Sequence, residues 1–238
     1  MATSLKKSTP KINENEEESF VYALQVAGSL VVPMTLRSAV ELGVFEILAK
    51  AGPGAKLSPT QIVQQMPTKN PEAPTRLDRI LRMLATHSLF GCSVAADDSG
   101  SLQRLYSIFD VSKHFVCNED GVSLGPFMAL IHDKVFLDSW SQLKDAILEG
   151  GIAFNRVHGI QVFEYFGLEP RFNQVFNAAM FNHTTNVIQN ILDSYKGFQQ
   201  LKQLVDVSGG LGVTLNLITS RYPHIKAINF DLPHVIQH

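Results

Sequence analysis

The stretch from Leu204 to Asp231 limits the possible folds more than any other part of the chain. Leu204-Val205-Asp206-Val207 reads as a short buried strand, and Ser208-Gly209-Gly210-Leu211-Gly212 as a glycine-rich turn. Residues 213–220 follow as an apolar helix. Beyond Pro223, residues 227–230 form a second strand that closes on Asp231. Strand, turn, helix, strand and acid make a βαβ unit, the opening of a parallel sheet. Glycines let the backbone approach a ligand and adopt φ values that other residues resist, and the helix start adds unpaired N–H groups. An acid at the end of the second strand can accept both hydroxyls of an adenosine ribose. The spacing Gly-x-Gly-x-x-Gly that seats a pyrophosphate is absent here. Asp206 would repel a pyrophosphate but suits a positive sulfonium and an amino group. The residues therefore favour S-adenosylmethionine over NAD, with Asp206, Ser208, Gly209, Gly210, Gly212 and Asp231 as the cofactor candidates.

The chain before this unit is helical in period. Residues 1–19 are polar, end in Glu16-Glu17-Glu18, and read as a disordered lead-in. After Pro33, the residues Leu36, Ala39, Val40, Val44, Ile47 and Leu48 give one apolar helix face that ends at Gly52-Pro53-Gly54. Ser58-Pro59-Thr60-Gln61 has the form of a capping box with proline in the first turn. A further helix after Pro74 buries Leu77, Ile80, Leu81 and Leu84. Two β-leaning runs, 91–95 and 104–109, flank the turn Asp97-Asp98-Ser99-Gly100. Helices followed by a two-stranded wing predict a winged-helix-like arrangement. Beyond it, Val135, Phe136, Trp140, Leu143 and Ile147 cover one side of a helix that stops at Gly150-Gly151, and a long helix starts near Pro170.

Composition narrows the function classes. A net charge of −2 lacks the basic footprint of a nucleic-acid binder, so Arg76, Arg79 and Arg82 read as a solvated helix face. Residues 20–32, the most apolar early stretch, are interrupted by Gln25 and Ser29 and fall short of the ~20 residues of a membrane span. The start lacks the apolar core of a signal peptide, and the two cysteines, Cys92 and Cys117, point to a reduced, cytoplasmic setting.

Several segments together closely resemble the plant caffeic-acid and flavonoid-type O-methyltransferases. They are 204–212, 228–235 (Ile-Asn-Phe-Asp-Leu-Pro-His-Val), Asp138-Ser-Trp140, 143–151, Phe163-Glu-Tyr165, Pro170-Arg-Phe-Asn173 and Val175-Phe-Asn177. The resemblance implies a mainly α architecture joined to α/β. A winged-helix-like dimerisation domain (20–118) leads through pocket helices (119–200) into the first βαβ unit of a Rossmann-like methyltransferase domain (201–238), whose sheet is incomplete. It also implies a homodimer and metal-free methylation of a small phenolic hydroxyl. Phe172, Phe176 and Met180 would wall an aromatic acceptor, with His183 and Thr184 at its border and Leu130, Ile131 and Phe136 in a lining stretch. By the same resemblance the histidine base lies beyond His238, and neither His234 nor His238 takes its place. The expectation is a chain inactive by itself; the alternative is a non-catalytic dimerising protein with a vestigial cofactor loop. Ser208 stands where the family usually has glycine. If that position requires φ > 0, the serine costs ~1 kcal/mol or more.

Overall fold

The computed structural model describes residues 16–97 and 99–236. The expected lead-in lies outside them up to residue 15, but its last part is helical: α1 runs over Glu16–Ala27.

The first unit consists of α1, α2 (Val31–Glu41), α3 (Val44–Lys50), α4 (Pro59–Val63), α5 (Ala73–Thr86) and an antiparallel pair, β1 (Phe90–Ala96) with β2 (Leu102–Ile108). The single apolar helix expected after Pro33 is two helices. Gly43, at φ +68°, turns the chain between α2 and α3, and the apolar stripe continues around the corner. Leu36, Phe45, Leu48, Ile62, Leu81, Leu84, Phe90 and Tyr106 meet in one core. The capping box forms as expected: Gln61 N donates to Ser58 Oγ (3.3 Å) and Ser58 N donates to Gln61 Oε1 (2.8 Å). Asp97 Oδ1 accepts from the amides of Ser99 and Ser101, both at 2.9 Å, and so closes the turn between the strands.

The middle of the chain holds α6 (Gly125–Ile131), α7 (Lys134–Trp140), α8 (Leu143–Glu149), α9 (Ala153–His158), α10 (Val162–Leu168) and the 25-residue α11 (Pro170–Ser194). The expected helix from residue 133 to 149 breaks after Trp140. Ser139 Oγ donates to Val135 O (2.8 Å) and Ser141 Oγ to Asp138 O (2.6 Å), and such side-chain bonds compete with helical continuation. Trp140, Leu143 and Ile147 are consequently exposed rather than buried, Ile147 at 83%.

The last unit is β3 (Gln203–Val207), α12 (Val213–Arg221), β4 (Lys226–Phe230) and the short α13 (Pro233–Ile236), with β3 and β4 parallel. β3 is not the buried strand its composition predicts. It alternates, because α12 packs on one sheet face only: Leu204 and Asp206 point toward the helix side, while Val205 and Val207 are exposed. α11 joins the layers. Phe172 and Ala179 in its first half lie in an aromatic cluster, and Ile188 and Leu192 near its end pack with Ile218 and Tyr222 of the βαβ unit. Among the described residues no single helix is long and apolar enough to cross a membrane; 18–27 and 31–41 meet that test only as a pair bent by 46°.

Candidate cofactor and acceptor site

The parallel register places Asp206 opposite Asn229 and Val207 opposite Phe230. Ser208 N donates to Phe230 O at 2.7 Å, so the chain leaves the sheet at Ser208. The turn then uses the left-handed region three times, at Ser208 (φ +63°), Gly210 (φ +56°) and Gly212 (φ +75°). Gly212 has the conformational freedom that its position demands. Ser208 does not, and the strain expected from the sequence is present.

Gly209 matters for a different reason. A Cβ there would overlap Asn229 Oδ1 and crowd the Asp206 carboxyl group at 2.8 Å. The backbone therefore lies directly on the Asp206–Asn229 pair, and no side chain fits between them.

The second strand delivers the acid as the spacing implied. Asp231 Oδ2 accepts from Gly210 N and Asp231 Oδ1 from Leu232 N, each at 2.7 Å. Two backbone donors fix the carboxylate, yet each oxygen keeps a lone pair for an incoming hydroxyl. Asn229 was not singled out from the sequence. Its Nδ2 donates to Gly210 O at 2.9 Å, while its Oδ1 is buried without a partner. It lies in the segment 228–235 that carried the resemblance, but its place beneath the turn follows from the strand register.

The acceptor candidates divide into two groups. Leu130, Phe136, Phe172, Phe176 and Met180 come together in one cluster, with Phe172 fully buried. Phe136 meets Phe172 edge-on at 5.3 Å, and Phe166 stacks on Phe176 at 4.3 Å. Phe154, Tyr165 and Phe166 belong to the same cluster and were missed, although Tyr165 lies in a segment that carried the resemblance. Ile131 faces solvent, and His183 sits apart, stacked on Phe127 at 5.0 Å. His158 was also missed. It lies between Phe154 (4.4 Å) and Tyr165 (4.7 Å), with Nε2 3.1 Å from Val135 O. A ring nitrogen facing a carbonyl must donate, so this histidine is a satisfied polar group.

Beside the cluster, Arg171 Nη1 and Nη2 reach Asp133 at 2.7 and 3.1 Å, and Val135 N donates to Asp133 Oδ1 at 3.0 Å. Burial pushes this carboxyl group up, but the guanidinium and the amide outweigh burial and hold it below the usual carboxylate range. The neighbouring His132 is pushed below its ordinary value, chiefly by burial. Arg37 donates to the His132 carbonyl and ties α2 to this joint. A cavity of about 400 Å³ lies elsewhere, lined by apolar residues of the first unit such as Val63, Met66, Leu77 and Ile80.

Two family models match in series: an O-methyltransferase dimerisation domain over residues 24–118 and an O-methyltransferase domain over residues 140–238. Catechol O-methyltransferase 1 of Solanum lycopersicum is 56% identical over 95% of this chain and 61% of its own length. Caffeic acid 3-O-methyltransferase of Capsicum annuum is 50% identical over 95% and 63%, respectively. The chain thus spans about three-fifths of the length of these curated relatives. Human N-acetylserotonin methyltransferase, solved in complex with SAM, superposes with a TM-score of 0.75 at 18% identity, covering 94% of this chain and 62% of that one. At that identity the likeness speaks for the fold. With both domain models matched, and relatives at half identity or better along nearly its whole length, the chain belongs to the O-methyltransferase family that includes the plant caffeic-acid and catechol enzymes.

Proposed function

We propose that the βαβ unit holds S-adenosylmethionine and that the protein serves methyl transfer to a phenolic hydroxyl of a small aromatic metabolite. The observation that carries this reading is the grip of Asp231 on Gly210. It fixes a carboxylate with free lone pairs at the mouth of a glycine turn, beside a second acid, Asp206. A pyrophosphate would meet two carboxylates there, whereas a sulfonium with its amino group would be attracted. Asp231 would take the ribose hydroxyls, Gly209 and Gly210 would let the cofactor approach the backbone, and Asp206 would face its positive end. When bound, this cofactor supplies an electrophilic methyl group.

Leu130, Phe136, Phe172, Phe176 and Met180 would present an apolar, aromatic wall to a flat acceptor; their shared cluster supports this. Ile131, which faces solvent, and His183, stacked on Phe127, stand outside that wall. The catecholic and caffeic substrates in the relatives' names support a phenolic acceptor. We place no general base among the described residues. We further propose a homodimer formed through a winged-helix-like first unit, and a cytoplasmic location.

Calorimetric titration with S-adenosylhomocysteine tests the reading. The wild-type chain is expected to bind, and Asp231→Ala to lose at least about tenfold in affinity, the scale of lost hydrogen bonds to a charged group. Equal affinity of the two would remove Asp231 from the site. Adding labelled S-adenosylmethionine and a panel of catechols separates the alternatives. Binding without product fits the non-catalytic dimerising module; product would place a base within the chain.

A further inference from the structure

We propose that Asn229 is a positioning residue that holds the glycine turn in its receptive shape, working as a pair with Asp231 on the two edges of Gly210. The inference rests on the cofactor reading above and adds a residue to it. Asp231 Oδ2 takes the Gly210 N–H at 2.7 Å, and Asn229 Nδ2 donates to the Gly210 carbonyl at 2.9 Å. Gly210 is left-handed, at φ +56°, and open on its Cβ side. With both its polar groups held, one by Asn229 of β4 and one by Asp231 just after it, the residue cannot flip its flanking peptides without breaking a bond.

The geometry follows from the strand register. Asn229 pairs with Asp206 across the sheet and lies under the turn, where it would meet a Cβ on Gly209 and one on Gly212, the latter at 3.4 Å. It is the shared floor of the loop. Only an amide fits the role. Aspartate has the same shape but, ionised, would turn an acceptor toward the Gly210 carbonyl and set a third carboxylate beside Asp206 and Asp231. Those two are the titratable groups next to the position, and the first turn of α12 carries no acid. Once protonated, an aspartate at 229 would regain a donor.

The experiment compares the wild-type chain with Asn229→Asp and Asn229→Ala. Two quantities are measured: amide hydrogen exchange at Gly210 without cofactor, and affinity for S-adenosylhomocysteine from about pH 8 to about pH 5. Protection at Gly210 is expected to fall about tenfold or more in both variants, with a comparable fall in affinity at high pH. Asn229→Asp should recover toward wild type as pH drops, whereas Asn229→Ala should keep a constant deficit relative to wild type. A general packing defect would not give that difference. If Asn229→Asp fails to fold, Asn229→Ala decides alone. Unchanged exchange and unchanged affinity in it would overturn the proposal. A wild-type chain that binds no nucleoside but loses Gly210 protection on Asn229→Ala would keep the clamp and remove the cofactor reading.

Discussion

At residue scale, Ser208 is the departure with a measurable consequence. A β-carbon at φ +63° costs about 1–2 kcal/mol. Glycine removes that cost but gives the unfolded chain more freedom, worth about 0.4–1 kcal/mol. Ser208→Gly is therefore expected to be neutral to about 1.6 kcal/mol stabilising in denaturant titrations, and to tighten cofactor affinity. A clear loss of stability would show that the serine makes a compensating contact. Ser208 stood out only through the resemblance, which implies glycine there, whereas Asp231 was legible in the sequence because a glycine turn between two strands fixes where the acid must lie. Asn229 was not, because its role arises from pairing with Asp206 across the sheet, and register is not written in either strand alone.

At the scale of elements, helix starts were easier to read than helix ends. The capping box at Ser58 depends on residues three apart and formed as its spacing implied. The break at Gly43 comes from its left-handed backbone and the one after Trp140 from serine hydroxyls competing for carbonyls, and an unbroken apolar period concealed both. The joint between α6 and α7 gives a pH prediction. Burial lowers the pKa of His132 in the folded state, so the unfolded chain binds the proton more readily. Stability is then fully present above the unfolded value, near 6.5, and declines as pH falls through it toward the lower folded value. The thermal midpoint should drop across that window, and His132→Gln should flatten the drop. Asp133, held low by Arg171, loses its contribution only at more acidic pH, so a slope near neutrality that persists in His132→Gln would contradict the assignment.

For the whole molecule, α1 presents an exposed apolar face. Phe20 is 65% and Leu24 57% exposed, and Val26, Leu30 and Val31 extend the patch. An exposed apolar surface of this kind suits the proposed dimer contact, and from residue 24 on it overlaps the segment matched by the dimerisation-domain model. Sedimentation equilibrium should give a dimer at micromolar concentration, and Phe20→Glu with Leu24→Glu should give a folded monomer. A monomeric wild-type chain would contradict the proposed assembly. The division into a helical unit and a βαβ unit was legible from the change of hydrophobic period near Leu204. The aromatic cluster was legible only in part. Phe154 joins it through the packing of α9 on α7 and α10, and Phe166 through that of α10 on α11, an arrangement of short helices that the hydrophobic period alone does not encode.

The measurement that bears most directly on the central claim is a heteronuclear NMR titration of the labelled chain with S-adenosylhomocysteine. The amides of Ser208, Gly209, Gly210, Gly212 and Leu232 should move first and furthest, because they line the turn or hydrogen-bond to Asp231. Saturating ligand that leaves these five in place, whether or not other resonances shift, would contradict it.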